Sequence, residues 1–339
     1  MDFDIASLQR YVDDQLPEIG EIESVEKFSN GQSNPTFKIS TTSDTLVLRR
    51  KPGGQILKSA HAIDREYRVL TALLATDVPV ARPLVYCHDA NVIGAEFYLM
   101  SFVDAQVFTQ PELPGMSNQQ RSAHYQAMNE LMCRLHRLDV RKIGLSDFGR
   151  WGDYFPRQFK RWRQQYQLSE TGFIAEMETL MTWIDANMPD DDQRTVLVHG
   201  DFRIDNILFD SQPIAVAALV DWELSTLGHP YADLAYQCMQ WRMPQDCAMP
   251  GLGALDRSAV GIPTEAEYVD QYCRFFQLDG IADWRFYLVF NFFRFAAILQ
   301  GIKKRAIEGN ASNEQAHEMG EMVIPLAKQA VELLDSSLF

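Results

Sequence analysis

Two apolar runs near residue 200 each end in acidic and polar residues, and this arrangement constrains the fold more than any other feature. Residues 196–198 lead into the segment His199-Gly200-Asp201-Phe202-Arg203-Ile204-Asp205-Asn206, and a second apolar run follows at 207–209. A further apolar run, 214–220, ends at Asp221-Trp222-Glu223. Short apolar runs bounded by polar residues are typical of buried strands. We therefore predict that the runs 196–198, 207–209 and 214–220 form one small sheet that carries a polar loop, residues 199–206.

The polar loop contains the residue types that phosphoryl transfer requires. That reaction needs a carboxylate to orient the attacking hydroxyl, and an amide and a second carboxylate to hold Mg²⁺ on the phosphates. In the kinase pattern H-x-D-x-x-x-x-N the Asp and the Asn are five positions apart, and Asp201 and Asn206 have this spacing. We predict that Asp201 is the catalytic carboxylate and that Asn206 and Asp221 are Mg²⁺ ligands. Taken alone, Asp201 would be better explained as a turn residue that caps its own backbone, and it is Asn206 and Asp221 at the expected places that favour the catalytic role.

The two motifs resemble those of the aminoglycoside phosphotransferase and choline kinase family, small-molecule relatives of the protein kinases. His199-Gly200-Asp201 is similar to that family's His-Gly-Asp, and Asp221 is followed by Trp222-Glu223 rather than by Phe-Gly. The resemblance implies ATP and Mg²⁺ as cofactors. It also implies that His199 holds the loop together and that Asp233 braces the loop backbone, and Arg203 joins His199 and Asp201 among the predicted catalytic residues.

The order of predicted elements indicates an α+β chain with the two-lobed, protein kinase-like architecture. Period-2 alternation and β-branched residues predict strands at 22–28, 35–41, 46–50, 85–87 and 97–102, with helices at 5–15 and 59–75. Helical patterns dominate later: 117–138, 154–166, 173–187, 231–241, 264–276, 284–307 and 313–334. We predict a nucleotide-binding lobe at 1–102, a linker at 103–116 and a helical lobe at 117–339 that contains the catalytic loop and the acceptor site.

On the nucleotide side, kinases pair a Lys on the third strand with a Glu on the next helix to grip the phosphates. Here Arg49 occupies the strand position and Glu66 lies on the apolar stripe of the helix, so we predict an Arg49–Glu66 pair. Arg grips phosphate in a bidentate manner, although an ordinary salt bridge is the alternative. The turn Gly31-Gln32-Ser33-Asn34 offers backbone N–H groups to phosphates. By resemblance, Met100 and Phe102 lie in the hinge that meets the adenine.

The acceptor is indicated by resemblance and by one helix. The stretch Leu48-Arg49-Arg50-Lys51-Pro52-Gly53, including Arg in place of Lys, resembles the kinase-like domain found beside acyl-CoA dehydrogenases, which implies a hydroxyacyl-CoA acceptor. Arg157, Lys160 and Arg161 share a helix face and would suit the phosphates of such a ligand, although a solvated basic face explains them equally well. The alternatives are an aminoglycoside or choline-type kinase and a nucleotide-binding pseudokinase without transfer activity.

The composition excludes several other classes of protein. A net charge of −15 argues against a nucleic-acid-binding surface. The five cysteines are scattered and odd in number, which argues against a disulfide framework. The N-terminus lacks the basic and apolar blocks of a signal peptide, and polar residues interrupt the apolar stretch 287–302. We therefore expect a cytoplasmic protein that acts on a small molecule and binds no membrane.

Overall fold

The computed structural model describes residues 3–28, 34–52, 62–247, 249–309 and 315–335. The chain divides into two compact units, which we describe one at a time. The first unit comprises Met1–Gln106, Leu208–Ser211 and Val216–Leu224, and the second comprises Val107–Ile207, Gln212–Ala215 and Ser225–Phe339. The lobe boundaries expected at residues 102 and 117 stay a prediction.

The first unit is built on a five-stranded antiparallel sheet. In chain order its elements are α1 (Ile5–Gln15), β1 (Ile22–Lys27), β2 (Thr36–Thr41), β3 (Thr45–Arg50), α2 (Ile63–Leu73), β4 (Pro83–Cys87) and β5 (Phe97–Ser101). The strand order is β1-β2-β3-β5-β4. The predicted strands are confirmed, and so is helix 5–15. The start predicted for helix 59–75 lies outside the described residues up to residue 61.

The hydrophobic core of the first unit holds the sheet on which Arg49 lies. Strand β2 alternates between buried and partly exposed residues, as a strand with one covered face should. Phe37 and Ile39 from its buried face join Leu8 and Val12 of α1 in one cluster. Burying a side chain of this kind stabilises the fold by roughly 1.5–3 kcal/mol, so β3, at the centre of the sheet, is held rigidly.

The second unit is mostly helical and is organised around one long buried helix. Its helices are α3 (Asn118–His136), α4 (Tyr154–Ser169), α5 (Ala175–Ala186), α6 (Tyr231–Arg242), α7 (Glu265–Phe275), α8 (Trp284–Ile307), α9 (Ala316–Glu321) and α10 (Val323–Glu332). Helix α8 packs against α4, α6 and α10, which explains why it is apolar on nearly every side. No helix among the described residues is long and apolar enough to cross a membrane.

The short strands correct one expectation. They are β6 (Gln106–Val107), β7 (Val196–Val198), β8 (Ile207–Asp210), β9 (Ala215–Leu219) and β10 (Thr226–Gly228). The prediction that 196–198, 207–209 and 214–220 form one sheet is wrong, because β7 pairs with β10 while β8 and β9 pair in the order β6-β8-β9. The physical reason is that residues 199–206 lead the chain away from β7, and the hydrogen bonds of β7 are made by Thr226–Gly228 instead.

Two helices of the second unit begin with a capping box. Ser117 and Gln120 form a capping box at α3, and Thr264 and Glu267 form one at α7. The single helix predicted for 313–334 is instead two helices, α9 and α10, separated at Met322. All five cysteines are free, as expected. The prediction of a sheet-rich N-terminal part and a helical C-terminal part is confirmed.

Candidate functional site

Arg49 is the centre of a charged cluster in the first unit. It lies near the end of β3, opposite Tyr98 of β5. Its Nε atom is 2.8 Å from Oε2 of Glu66, an ion-pair contact in which the N–H is not aimed at the oxygen. Its Nη2 atom donates to Oδ1 of Asp221 at 2.7 Å and to Oε2 of Glu223 at 3.4 Å. The predicted Arg49–Glu66 pair is confirmed, and the contacts to Asp221 and Glu223 are an addition. We call these four residues the Arg49 cluster.

Glu66 is the most deeply buried member of the Arg49 cluster, with 1% of the residue exposed. Its carboxylate accepts hydrogen bonds from Nδ2 of Asn34 at 2.9 Å and from the Tyr98 hydroxyl at 3.0 Å. Burial raises the pKa of Glu66, and Asp221 and Glu223 add to this, so that the pKa reaches about 7 although Arg49 opposes the change. Three carboxylates therefore surround one guanidinium, and the cluster carries excess negative charge that suits a further cation.

Asp221 has a backbone conformation that marks it as a special position. Its φ angle is 65°, in the left-handed region that a residue with a Cβ atom rarely adopts. Such strain persists only where surrounding structure enforces it and is concentrated at functional sites. Only Oδ1 of Asp221 is bonded to Arg49, so Oδ2 has no hydrogen-bond partner within the described ranges. A carboxylate oxygen of this kind fits a hard cation such as Mg²⁺.

Of the other residues predicted for the nucleotide site, the structure describes Asn34, Met100 and Phe102. Asn34 is buried beside Glu66, and its Nδ2 also lies 3.4 Å from Glu223. Gly31, Gln32 and Ser33 lie outside the described residues. Met100 is paired with Val47 across β5 and β3. Phe102 follows β5, and the Lys38 ammonium lies 4.8 Å from the centroid of its ring. Contact of Met100 and Phe102 with an adenine stays a prediction.

The polar loop, residues 199–206, lies in the second unit and is braced through its backbone. The two carboxylate oxygens of Asp233 accept the N–H groups of His199 at 2.7 Å and Gly200 at 2.8 Å. Gly200 has a φ angle of 86°, which favours glycine at this bend. Burial raises the pKa of Asp233, but His136 and the loop N–H groups outweigh it and hold the pKa below its usual value. The bracing role that the resemblance implied for Asp233 matches these contacts.

Asp201 presents a carboxylate that is held from two sides. Oδ1 accepts a hydrogen bond from the Tyr236 hydroxyl at 2.7 Å and lies 3.4 Å from Nε of Arg203. Oδ2 accepts one from Nδ2 of Asn206 at 3.1 Å. Burial raises the pKa of Asp201, but Arg203 and Tyr236 outweigh it, so the pKa lies below its ordinary value and the group stays ionised. Arg203 also contacts Asp205 at 2.7 Å.

Asn206 is oriented by its amide nitrogen. Besides its bond to Oδ2 of Asp201, Nδ2 donates to the Asp201 carbonyl at 2.9 Å. Both N–H groups of the amide are thus engaged within the polar loop, and the side-chain oxygen is the atom left for another ligand. An amide oxygen fits Mg²⁺. Among the described residues, no group of three or more His, Cys, Asp or Glu side chains is placed to hold a metal.

Two residues next to the polar loop were not singled out from the sequence. Tyr236 follows Asp233 by one helical turn, and this spacing was a usable signal because residues three apart share a helix face. Arg294 is 7% exposed, and its Nη2 atom donates to the Gly200 carbonyl at 3.1 Å. Its guanidinium carbon lies 5.8 Å from the Trp162 ring centroid and 5.5 Å from that of Tyr236. A charged residue inside the most apolar stretch of the chain was the signal for Arg294.

The basic residues of α4 have different surroundings. Nη2 of Arg157 donates to the Arg150 carbonyl at 3.1 Å. Lys160 lines a groove of about 560 Å³ together with Asp185 of α5. The guanidinium of Arg161 lies 5.3 Å from the Trp162 ring centroid. A role in binding the acceptor stays a prediction for all three.

Comparisons with known proteins show the family to which the chain is similar. A family model described as the phosphotransferase enzyme family matches residues 24–287. Acyl-CoA dehydrogenase family member 10 of Mus musculus is 44% identical over 305 residues, which covers 90% of this chain and 28% of that protein. The chain spans less than half the length of the curated relatives it matches.

Comparison with solved structures shows the fold. A protein of Ralstonia eutropha JMP134, provisionally described as an aminoglycoside phosphotransferase, has a TM-score of 0.89 and 44% identity, with 98% of both chains covered. A thermostable mutant of the aminoglycoside phosphotransferase APH(4)-Ia, solved with AMP-PNP and hygromycin B, has a TM-score of 0.62 at 15% identity and covers 97% of this chain and 99% of its own. This second likeness shows the fold, which is that of the aminoglycoside phosphotransferases.

Proposed function

The chain belongs to the phosphotransferase enzyme family, and we propose that it is an ATP- and Mg²⁺-dependent kinase that transfers the γ-phosphoryl group to a hydroxyl of a small molecule. The observation that carries this proposal is Asp201, an ionised carboxylate fixed by Tyr236 and Asn206 on a loop that Asp233 braces. A carboxylate fixed in this way orients an attacking hydroxyl.

The low pKa of Asp201 determines how this carboxylate contributes to phosphoryl transfer. A weakly basic carboxylate does not deprotonate an alcohol in the ground state. The main contribution of Asp201 is therefore to accept a hydrogen bond from the acceptor hydroxyl and to align that hydroxyl. This is sufficient in a loose phosphoryl transfer, where the proton leaves late and positioning dominates. Asp201 then takes the proton as the new O–P bond completes and the bond to the leaving ADP oxygen breaks.

The donor side is supported by separate observations in each unit. In the first unit, Arg49 is anchored through Nε and Nη2, while Nη1 makes no hydrogen bond or ion pair with the described residues, so it is the nitrogen we assign to a phosphate. We assign Oδ2 of Asp221 and the side-chain oxygen of Asn206 as Mg²⁺ ligands. When bound, Mg²⁺ neutralises the charge on the phosphates. APH(4)-Ia binds AMP-PNP, which supports ATP as the donor here.

For the acceptor, we propose a hydroxyacyl-CoA. The supporting observations are the relatives described as acyl-CoA dehydrogenase family members and the charge beside the polar loop. Arg294 touches this loop and has no carboxylate within ion-pair distance among the described residues. A buried cation favours an acceptor with negative groups and disfavours a polycationic aminoglycoside. APH(4)-Ia binds hygromycin B, so an aminoglycoside remains the second candidate acceptor.

The test is Mg-ATP turnover on 4-hydroxyacyl-CoA esters, aminoglycosides and choline, with Asp201→Asn as the probe and Asp210→Asn as the matched control. Asp210 is exposed at the end of β8. We expect turnover of the CoA esters in the wild type and in Asp210→Asn, and loss of turnover with retained Mg-ATP binding in Asp201→Asn.

Other outcomes separate the alternatives. Turnover of an aminoglycoside or choline alone would retain the kinase and reject the CoA acceptor. Mg-ATP binding without turnover of any acceptor would indicate a pseudokinase, and failure to bind Mg-ATP would reject the proposal.

A further inference from the structure

We infer that Tyr236 is a positioning residue that fixes one oxygen of Asp201, so that the other oxygen is the one that receives the acceptor hydroxyl. The inference rests on the proposed function for its catalytic consequence, but it rests on geometry for the side chains involved. Tyr236 lies on α6, outside both sequence motifs, and none of the site residues expected from the sequence includes it.

The two carboxylate oxygens of Asp201 differ in the groups that surround them. Each carboxylate oxygen offers about two lone-pair directions. Oδ1 receives the Tyr236 hydroxyl at 2.7 Å and lies 3.4 Å from Nε of Arg203, an ion-pair contact in which the N–H makes no hydrogen bond. Oδ2 receives only Nδ2 of Asn206, at 3.1 Å, within the part of the chain that the structure describes. Because the Arg203 guanidinium already occupies the space beside Oδ1, the acceptor direction open to an incoming hydroxyl belongs to Oδ2.

The open acceptor direction of Oδ2 is accessible to an incoming hydroxyl. The Asp201 side chain is 19% exposed, whereas Tyr236 is only 5% exposed. A hydroxyl that approaches from outside therefore meets the carboxylate without displacing the tyrosine. The Tyr236 hydroxyl stays protonated, because burial raises its pKa and Asp201 raises it further, and so it remains a donor throughout.

Tyr236 is held in place by its neighbours. Its ring packs edge-on to Phe295 with centroids 6.4 Å apart, and the guanidinium of Arg294 lies over it. Tyr236 also shares helix α6 with Asp233, which holds the backbone of the polar loop. One helix thus fixes both the position of the loop and the rotation of the Asp201 carboxylate. A hydroxyl needed only to satisfy a buried tyrosine would not require this coincidence.

The test compares Tyr236→Phe with Tyr231→Phe. Tyr231 is a matched control, because it is a buried tyrosine of the same helix whose hydroxyl accepts from Arg194 instead of donating to Asp201. We expect Tyr236→Phe to lower kcat by about 10- to 100-fold, since misplacement of a catalytic group costs about this much, while the KM for ATP changes less than about twofold. Tyr231→Phe should leave kcat within about twofold of wild type.

A spectroscopic measurement makes the inference independent of turnover. The ¹³C resonance of the Asp201 carboxyl carbon is identified by its disappearance in Asp201→Asn. We expect this resonance to move in Tyr236→Phe and to keep its wild-type position in Tyr231→Phe, at one fixed pH.

An unchanged resonance in Tyr236→Phe would overturn the inference whatever happens to kcat. An unchanged kcat would overturn the positioning role even if the resonance moves. If the wild-type protein turns over no acceptor, the proposed function fails and the catalytic part of this inference fails with it, while the resonance still decides whether Tyr236 fixes the carboxylate.

Discussion

Nη2 of Arg49 lies 2.7 Å from Oδ1 of Asp221, although 172 residues separate the two along the chain. The same guanidinium reaches Glu66 through Nε. A lysine has one nitrogen on a flexible stem, whereas the planar guanidinium presents several donors in a fixed geometry. Arginine at position 49 therefore holds two carboxylates of the first unit together, which explains physically how it can stand where kinases have lysine.

Arg49→Met should destabilise the protein strongly. The substitution leaves Glu66 buried beside two further carboxylates without a cation, and removing one partner of a buried pair costs about 3–5 kcal/mol. Arg49→Lys should fall between this variant and the wild type, because it restores the charge but not both contacts. The measurement is the free energy of unfolding in urea. The control is Lys51→Met, which breaks a half-exposed pair with Glu96 and should cost at most about 1 kcal/mol. Equal losses in Arg49→Met and Lys51→Met would contradict the prediction.

Glu66 should make the stability of the protein fall as pH rises from about 5 to 7. Its pKa is about 7 in the folded protein and 4.5 ordinarily. Between these values the folded state retains a proton that the unfolded chain has lost, so the folded state is favoured at the acidic end and this contribution disappears as pH rises through 7.

Glu66→Gln tests this sign. Between pH 5 and pH 7.5 the wild type should lose more unfolding free energy than the variant, by about 2–3 kcal/mol, since one pKa unit corresponds to about 1.4 kcal/mol. Urea unfolding at the two pH values gives the comparison. Identical pH dependence in both proteins would show that Glu66 keeps an ordinary pKa.

Arg294 should control the affinity for a negatively charged acceptor. Its guanidinium is buried between the rings of Trp162 and Tyr236 beside the polar loop. Arg294→Met should raise the KM of a CoA-ester acceptor by about tenfold, equivalent to about 1.4 kcal/mol, and change the KM for ATP much less. Arg285→Met is the control, because Arg285 lies on the same helix but packs on Trp183. An acceptor KM that is unchanged, or that rises equally with Arg285→Met, would rule out this role.

The sequence was informative wherever spacing along the chain determines the contact. The Ser117–Gln120 capping box depends on local geometry, and the Arg49–Glu66 pair follows because a buried carboxylate requires a cation. Contacts between distant segments were not accessible in this way. β10 is only three residues long and contains a glycine, so no periodicity marks it, and the partner of β7 was assigned wrongly. The contacts of Asp221 and Glu223 with Arg49 depend on the residues after β9 lying beside the end of β3, which a single sequence does not specify.

Asp233→Asn should loosen the polar loop without removing any residue from it. Both carboxylate oxygens of Asp233 accept backbone N–H groups, from His199 and Gly200. Asparagine has one acceptor oxygen, so its NH₂ group would face an N–H that also donates, and one buried donor would lose its partner. A lost charge-assisted bond together with an unsatisfied N–H costs about 2–4 kcal/mol. Because the pKa of Asp233 is held below its ordinary value of 3.8, this stabilisation is fully present at neutral pH and disappears only as pH falls below about 4.

Amide hydrogen exchange measures the effect at the residues concerned. At pH 7 the amides of His199 and Gly200 should exchange at least about 30-fold faster in Asp233→Asn than in the wild type, which corresponds to about 2 kcal/mol of lost protection. Asp210→Asn, on the exposed end of β8, should leave both amides at their wild-type rates. The difference between the variants should also diminish when exchange is measured at acidic pH, where the Asp233 carboxylate takes up a proton and loses its advantage over an amide. If both amides are equally protected in the two variants at neutral pH, the loop is held by its other contacts, and the geometry of Asp201 does not depend on Asp233.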